Sequence, residues 1–268
     1  MKRLLALGAL ALAASPASAI FVNGGFEAGT FGSWTKTTGI NPGLTGSPPF
    51  TGANIVVSAG GQDVSAIVGA GTDPRAPHLV LPRAGAFTAR VNDFNGGANI
   101  NAIRQAAPIT NADRDATDNK LHVRFSYAAV LEDPGHSPAQ QPYFFVRLRN
   151  LTKNTTLYED FTFSNQPGIT FIRTGAWLAT NFINVDIIVP DADINDTLEI
   201  EAYGVDCSPS AHGGYVYLDG FGSAIVPPGP GQPLGPVDVP TLSEWGVIVL
   251  AVLLGGAAFL QRRRGRLG

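Results

Sequence analysis

The chain has 268 residues, of which 44% are hydrophobic and 15% charged, with 32 glycines and 20 prolines. That balance excludes a disordered polyelectrolyte and describes a folded chain with many turns. The formal charge of −3 hides a split: outside residues 1–19 and 241–268, 12 basic side chains face 20 acidic ones, a net of about −8, so the body lacks the basic stripe that nucleic-acid binding requires. A single cysteine, Cys207, rules out an internal disulfide and any cysteine-based zinc finger.

The first element is an export signal. Lys2-Arg3, the apolar run 4–14 and Ser15-Pro16-Ala17-Ser18-Ala19 form a charged, an apolar and a small-residue region in the order of a secretory signal peptide, residues 1–19, cleaved after Ala19. Period-two alternation dominates the chain beyond residue 19. Short strands are predicted at 55–58, 78–81 and 87–91. In 120–131, Leu121, Val123, Phe125, Tyr127 and Ala129 share one face against His122, Arg124 and Ser126. In 143–149, Phe144, Val146 and Leu148 oppose Phe145, Arg147 and Arg149, and a further strand is predicted at 157–163. Ile183, Val185, Ile187 and Val189 alternate with Asn184 and Asp186; Leu198, Ile200 and Ala202 alternate with Glu199, Glu201 and Tyr203. A last strand falls at 215–218. No stretch between 20 and 240 carries a helical stripe for three turns. One-sided alternation predicts antiparallel sheets packed face to face, and about 200 residues suits an all-β, antiparallel jelly-roll β-sandwich over 20–225.

Residues 226–240 (VPPGPGQPLGPVDVP) have no apolar periodicity and read as an extended Pro/Gly-rich linker. Residues 241–268 begin with a polar stretch, then an uncharged apolar run at 245–260 and the cluster Arg262-Arg263-Arg264-Gly265-Arg266. Sixteen helical residues reach about 24 Å, against a hydrocarbon core of about 30 Å, so a transmembrane helix here is short. The arginines would hold the tail in the cytoplasm and leave the body outside, facing the periplasm and then the cell surface or matrix. Val239-Pro240-Thr241-Leu242-Ser243-Glu244-Trp245-Gly246, followed by the apolar run and the arginines, resembles the IPTL-CTERM protein-sorting signal of Gram-negative bacteria, with Val239 in place of the usual Ile. The resemblance implies a transpeptidase-like membrane enzyme of the exosortase class as partner, removal of the tail and display at the cell surface.

A second resemblance lies in the body. Asn23-Gly24-Gly25-Phe26-Glu27-Ala28-Gly29 with Trp34, and Gly214-Tyr215-Val216-Tyr217-Leu218-Asp219, resemble the opening and closing strands of galactose-binding-like jelly rolls, carbohydrate-binding modules among them. It implies a structural Ca2+ held by the Glu27 carboxylate, a backbone oxygen near Gly25, and Asp219; the competing reading is that Glu27 and Asp219 bond to nearby loop amides. It also implies an extracellular polysaccharide as a partner, for which Trp34, Tyr143 and Trp177 are the candidate sugar-stacking rings, beside the alternative that they are core residues.

Other constellations are weaker. His136, Asp206, Cys207 and His212 suit a transition metal if their loops meet, but their spacing matches no zinc signature. Residues 191–196 open like a calcium loop yet have Asp196 where glycine is needed, so they read as a solvated acidic turn. No G-x-S-x-G, H-E-x-x-H or phosphate-loop motif is present. Glu132 and Asp133 are adjacent, which on a strand would send them to opposite faces. The sequence thus reads as a non-enzymatic surface module for adhesion or glycan binding, against a purely structural matrix component and, more remotely, a secreted hydrolase.

Overall fold

A computed structural model describes residues 20–222. The expected signal peptide at 1–19, the expected linker at 226–240, the sorting motif and the apolar run at 245–260 lie outside the described residues.

The described strands are β1 (Thr35–Ile40), β2 (Ala66–Val68), β3 (Gly71–Thr72), β4 (Val80–Leu81), β5 (Thr88–Val91), β6 (Asn99–Pro108), β7 (Leu121–Glu132), β8 (Tyr143–Asn150), β9 (Thr155–Phe163), β10 (Ile172–Thr174), β11 (Trp177–Ala179), β12 (Ile183–Val189), β13 (Thr197–Val205) and β14 (Gly214–Gly222). Helical structure among the described residues is limited to single 3-10 turns. Two large antiparallel sheets result, a five-stranded one ordered β1-β6-β13-β8-β9 and a seven-stranded one ordered β10-β11-β7-β14-β5-β2, with β12 also paired to β7; β3 and β4 pair separately as a two-stranded sheet. The chain passes back and forth between the sheets from β5 to β8 and again from β12 to β14, as in a jelly roll.

The predicted core face is the observed one. Leu121, Val123, Phe125, Tyr127 and Ala129 of β7 meet Phe144, Val146 and Leu148 of β8 and Leu198, Ile200 and Ala202 of β13 in one cluster between the sheets. The predicted polar face of β7 is not solvent-facing, however: His122, Arg124 and Ser126 are buried as well. Acidic and amide side chains of neighbouring segments lie against them: Asp186 and Asn184 of β12 bond to His122 and Ser126, and Asp115 pairs with Arg124. Farther along, each sheet also carries an apolar loop cover on its outer side. Ala76, Leu79 and Leu81 pack with Ala128, Val130, Trp177, Tyr215 and Tyr217 on the larger sheet. Leu44 and Phe50 pack with Tyr143, Phe145, Phe161 and Phe163 on the smaller one. Arg124 is paired in this setting: Asp186 Oδ2 lies 2.7 Å from its Nε, and Asp115 pairs with its Nη1. Residues 55–58 form no strand; Ser58 makes a single bridge to Ile40.

The N-terminal segment closes the sandwich through aromatic packing. Phe221 of β14 stacks on Phe125 at 5.4 Å between centroids and meets Phe21 edge-on at 5.6 Å and Trp34 at 5.5 Å. Phe221 reaches the core because the β7–β14 register shifts between Asp219 and Gly222, where Gly220 has φ +67°. The extra residue turns the strand so that Phe221, two beyond outward-facing Asp219, points inward. Gly24 passes directly over this ring: a Cβ there would lie 2.5 Å from the Phe221 Cβ. The Asn-Gly-Gly-Phe motif is therefore a packing device. Replacing Gly24 with Ala is predicted to destabilise the fold by about 1–3 kcal/mol through overpacking, read as a lower denaturant midpoint at unchanged slope; an unchanged midpoint would contradict this contact.

Candidate functional site

The outer face of the five-stranded sheet is partly covered. Beyond the cover runs a cross-strand row in which Thr35, Arg104, Glu201, Arg147 and Glu159 occupy paired positions on β1, β6, β13, β8 and β9; Thr35 and Arg104 are exposed, Arg147 is half-buried and Glu201 is buried. Arg147 Nε donates to Glu201 Oε1 at 2.7 Å, and in the next row Arg149 Nη2 donates to Glu199 Oε1 at 2.8 Å. Tyr203 stands at the border between this ladder and the apolar cover. It is partly exposed, its ring lies 5.5 Å from Phe145, and its hydroxyl donates to Glu201 Oε2 at 3.2 Å. Burial, with the Glu201 charge second, pushes the Tyr203 hydroxyl up to about 12, so it remains a neutral donor. The chemistry on offer is a flat, rigid array of hydrogen-bonding groups beside one aromatic ring. Sequence reasoning missed Tyr203, although its alternation with Ala202 already put it on this face.

The three rings proposed for sugar stacking are elsewhere. Trp34 is 7% exposed, Tyr143 0% and Trp177 8%. Trp34 stacks on Phe26 at 5.1 Å and spends its Nε1 hydrogen on the Asn23 carbonyl at 3.2 Å. Tyr143 stacks on Phe161 at 5.1 Å beneath the loop cover, and Trp177 has the Arg75 guanidinium 5.4 Å from its ring centre. Each ring is core, so the assignment of Trp34, Tyr143 and Trp177 to a glycan surface is corrected.

Glu27 and Asp219 do converge, on the 83–87 loop between β4 and β5. Asp219 Oδ2 accepts the Arg83 and Ala84 amides at 2.8 and 3.0 Å, and Oδ1 accepts the Gly220 amide at 2.6 Å. Glu27 Oε2 accepts the Ala86 amide at 2.9 Å and Oε1 accepts the Phe87 amide at 3.3 Å. Gly25 lies in the turn just before Glu27. Five amides thus occupy most of the lone pairs that a cation would use.

At one end of the sandwich, two loops bring three potential metal ligands together. His136 lies in the loop after β7, and Cys207 and His212 lie in the loop joining β13 to β14; the ligand atoms of all three are within 4.8 Å of one another. Asp206, proposed with them, points the other way: its Oδ1 accepts Asn92 Nδ2 at 2.8 Å and the Gly214 amide at 3.3 Å, and its Oδ2 accepts the Asn99 amide at 2.9 Å. Nearby Glu132 accepts the Gly213 amide at 3.2 Å, and Asp133 accepts Arg173 Nη2 at 2.7 Å. Both carboxylates are engaged in holding loops, in separate partnerships.

Residues 239–264 match the IPTL-CTERM motif. The match begins at Val239 and spans the apolar run into the arginines. No curated protein matches the chain. Solved structures with a similar shape include a CBM27-1 module from Caldicellulosiruptor saccharolyticus in complex with mannohexaose, at 12% identity over 74% of this chain and 93% of that one, with a TM-score of 0.36. The K1 cleaved adhesin domain of Lys-gingipain from Porphyromonas gingivalis W83 gives 14% identity over 73% and 92%, with a TM-score of 0.33. A non-crystalline cellulose specific module, CBM28, gives 14% over 77% and 94%, with a TM-score of 0.35.

The two buried aspartates set a pH dependence. Burial pushes Asp206 and Asp219 each up to about 7, against the pull of their amide donors. Their folded values lie above the ordinary aspartate value of about 3.9, so the folded state binds protons more tightly than the unfolded one. The stability this adds is fully present below about pH 4 and is lost as pH rises through about 7. The melting temperature is therefore expected to fall between about pH 5 and pH 8, and Asp206→Asn, whatever its own stability, should flatten that slope. A melting temperature that rises over this interval would refute the assignment.

Proposed function

We propose that this chain is an exported, surface-displayed β-sandwich module that binds extracellular polysaccharide and does no chemistry on it. The observation that carries the display reading is the IPTL-CTERM match at residues 239–264, set behind a Pro/Gly-rich stretch. A transpeptidase-like membrane enzyme of the exosortase class would act on the chain near Pro240–Thr241 while the short apolar run 245–260 holds it in the membrane. Intact mass of the surface-exposed protein is expected to lack residues 262–268; a mass that retains them would make the segment a plain anchor.

The binding surface in this reading is the Arg/Glu ladder with Tyr203. Sugar hydroxyls pair with fixed carboxylate and guanidinium groups, and a pyranose face suits a partly exposed tyrosine. The non-catalytic role draws support from Glu132 and Asp133, whose carboxylates serve as loop acceptors. A calcium ion near Gly25, Glu27 and Asp219 belongs to the same proposal as a stabiliser of the closing strands. Since Ca2+ takes six to eight oxygens and amides already fill much of both carboxylates, backbone carbonyls and water would supply most of its shell.

The test is retardation of the purified chain in gels containing the producing cell's exopolysaccharide, with a glycan array in parallel, each run with Ca2+ and with chelator alongside a melting curve. Wild type should bind, and Tyr203→Ala should weaken binding about tenfold, the equivalent of about 1.4 kcal/mol for one lost ring contact. Chelation should lower the melting temperature; an unchanged curve with no bound calcium removes the ion from the proposal. Absence of sugar binding together with self-assembly would replace the binding reading with a structural matrix role, and turnover of a glycan would overturn the non-catalytic one.

A further inference from the structure

We propose that His136, Cys207 and His212 form a binding site for one borderline-soft divalent transition ion of the Zn2+ class. This goes beyond the display reading and does not depend on it.

Three features of the geometry converge. Cys207 Sγ lies 3.5 Å from His212 Nδ1. In a tetrahedral site with Zn–N near 2.0 Å and Zn–S near 2.3 Å, neighbouring ligand atoms stand about 3.3–3.6 Å apart, so this pair is already spaced as two ligands of one ion. The third donor is close behind: all three ligand atoms fall within 4.8 Å of one another, and the two imidazole rings are 5.3 Å apart at 70°. Completing the triad needs a closure of roughly 1.5 Å at most. An unmet hydrogen bond points the same way. His136 Nε2 is buried and has no hydrogen-bond partner, a state that costs free energy in a neutral imidazole and that metal ligation would relieve.

The ligands are also held in place from behind, as metal ligands must be. The Cys207 amide donates to the His212 carbonyl at 3.0 Å and the Ser210 amide to the Cys207 carbonyl at 3.1 Å, which fixes the hairpin loop. The Ser208 amide donates to the Gln140 carbonyl at 3.2 Å and the Glu132 amide to the Gly213 carbonyl at 3.0 Å, which ties that loop to the one bearing His136. Gln141 Nε2 donates to the His136 carbonyl at 3.2 Å. A thiol–imidazole hydrogen bond between Cys207 and His212 alone would explain one contact and leave His136 Nε2 orphaned.

The donor set chooses the ion. One sulfur and two imidazole nitrogens favour Zn2+ and its neighbours in the first transition row over Ca2+ or Mg2+, which need oxygen. Asp206 does not contribute, because its oxygens face Asn92, Asn99 and Gly214. On binding, Cys207 loses its thiol proton to solvent as the sulfur–metal bond forms, and both histidines enter neutral through one nitrogen each. Three protein ligands with partly exposed imidazoles leave a fourth position open to water or an external donor.

Cobalt substitution tests this on the full-length chain, purified in detergent, stripped with chelator and kept reduced. Cys207 is the sole cysteine, so any thiolate-to-cobalt charge-transfer band reports this residue. Wild type should take up one Co2+ per chain with such a band and release it to one equivalent of Zn2+. Cys207→Ser should abolish the band, and His136→Gln should weaken Zn2+ binding at least tenfold. Zn2+ should raise the melting temperature of wild type but of neither variant. Failure of wild type to show the band at saturating Co2+ would overturn the proposal whether or not the variants fold. So would equal Zn2+ affinity in wild type and His136→Gln.

Discussion

A carboxylate taken out of water costs several kcal/mol unless its oxygens are fully hydrogen-bonded, and Asp206 imposes that constraint on one whole end of the sandwich. It sits just past β13 of the smaller sheet, fully buried. Its acceptors take Asn92, which follows β5, the amide of Asn99 at the start of β6, and the amide of Gly214 at the start of β14. Both sheets are therefore anchored to one side chain. The network continues outward: Asn101 Nδ2 donates to Asn92 Oδ1 at 3.0 Å and Asn41 Nδ2 to the Asp206 carbonyl at 2.8 Å. The same residue fixes where Cys207 starts, so the placement of the three-ligand cluster is a consequence of how the aspartate is satisfied.

A comparable device holds the outer cover of the larger sheet. Asp73 is buried and accepts the hydroxyls of Tyr215 and Tyr217 at 2.8 and 2.6 Å together with the Arg75 and Ala76 amides at 2.7 and 2.6 Å. The loop carrying Ala76, Leu79 and Leu81 is thereby pinned to β14, and the sandwich acquires a third apolar layer. On the smaller sheet the cover ends at the Arg147 and Glu201 row, where the Gly52 amide donates to Glu159 Oε1 at 3.3 Å. An apolar loop extended across that row would also desolvate Arg147 and Arg104, a cost that ion pairing seldom outweighs. The open face and the covered face thus follow from the same strands: aromatic residues near one end of β8 and β9 recruit a cover, and alternating charges farther along exclude it.

That layering explains what the sequence could and could not disclose. The central strands were legible because a period-two pattern reports the face between the sheets directly, as in Leu121 to Ala129 and Phe144 to Leu148. β6 was missed because its outward and inward residues include Asn99, Asn101 and Gln105, polar side chains that are buried here against other loops. β1, with Thr35, Lys36, Thr37 and Thr38, has no apolar alternation to read, and finds its place by pairing with β6. Trp34, Tyr143 and Trp177 read from the sequence either as sugar-stacking rings or as core, and the covers that decide it for Tyr143 and Trp177 come from loop segments with no regular pattern. His136 and the Cys207–His212 pair were each visible as chemistry; that their loops meet depends on β7, β13 and β14 lying at the same end, which spacing along the chain does not encode. The sorting motif needed no fold, since a short linear signal is recognised in sequence order.

The burial of Cys207 bears on what can reach it. In an exported chain a lone exposed thiol tends to pair with another thiol or to oxidise. Cys207 is fully buried, whereas His136 and His212 are only partly so. A disulfide partner must bring its own Cβ and chain within about 4 Å of the sulfur's Cβ, which the 206–213 and 133–142 loops leave no exposed surface for. A bare cation has no such requirement. It can be taken up by the outer imidazoles and passed to a sulfur that is 3.5 Å from one of them. The packing that shields the thiol from a disulfide partner therefore leaves the two partly exposed imidazoles as the side of the proposed site nearest solvent.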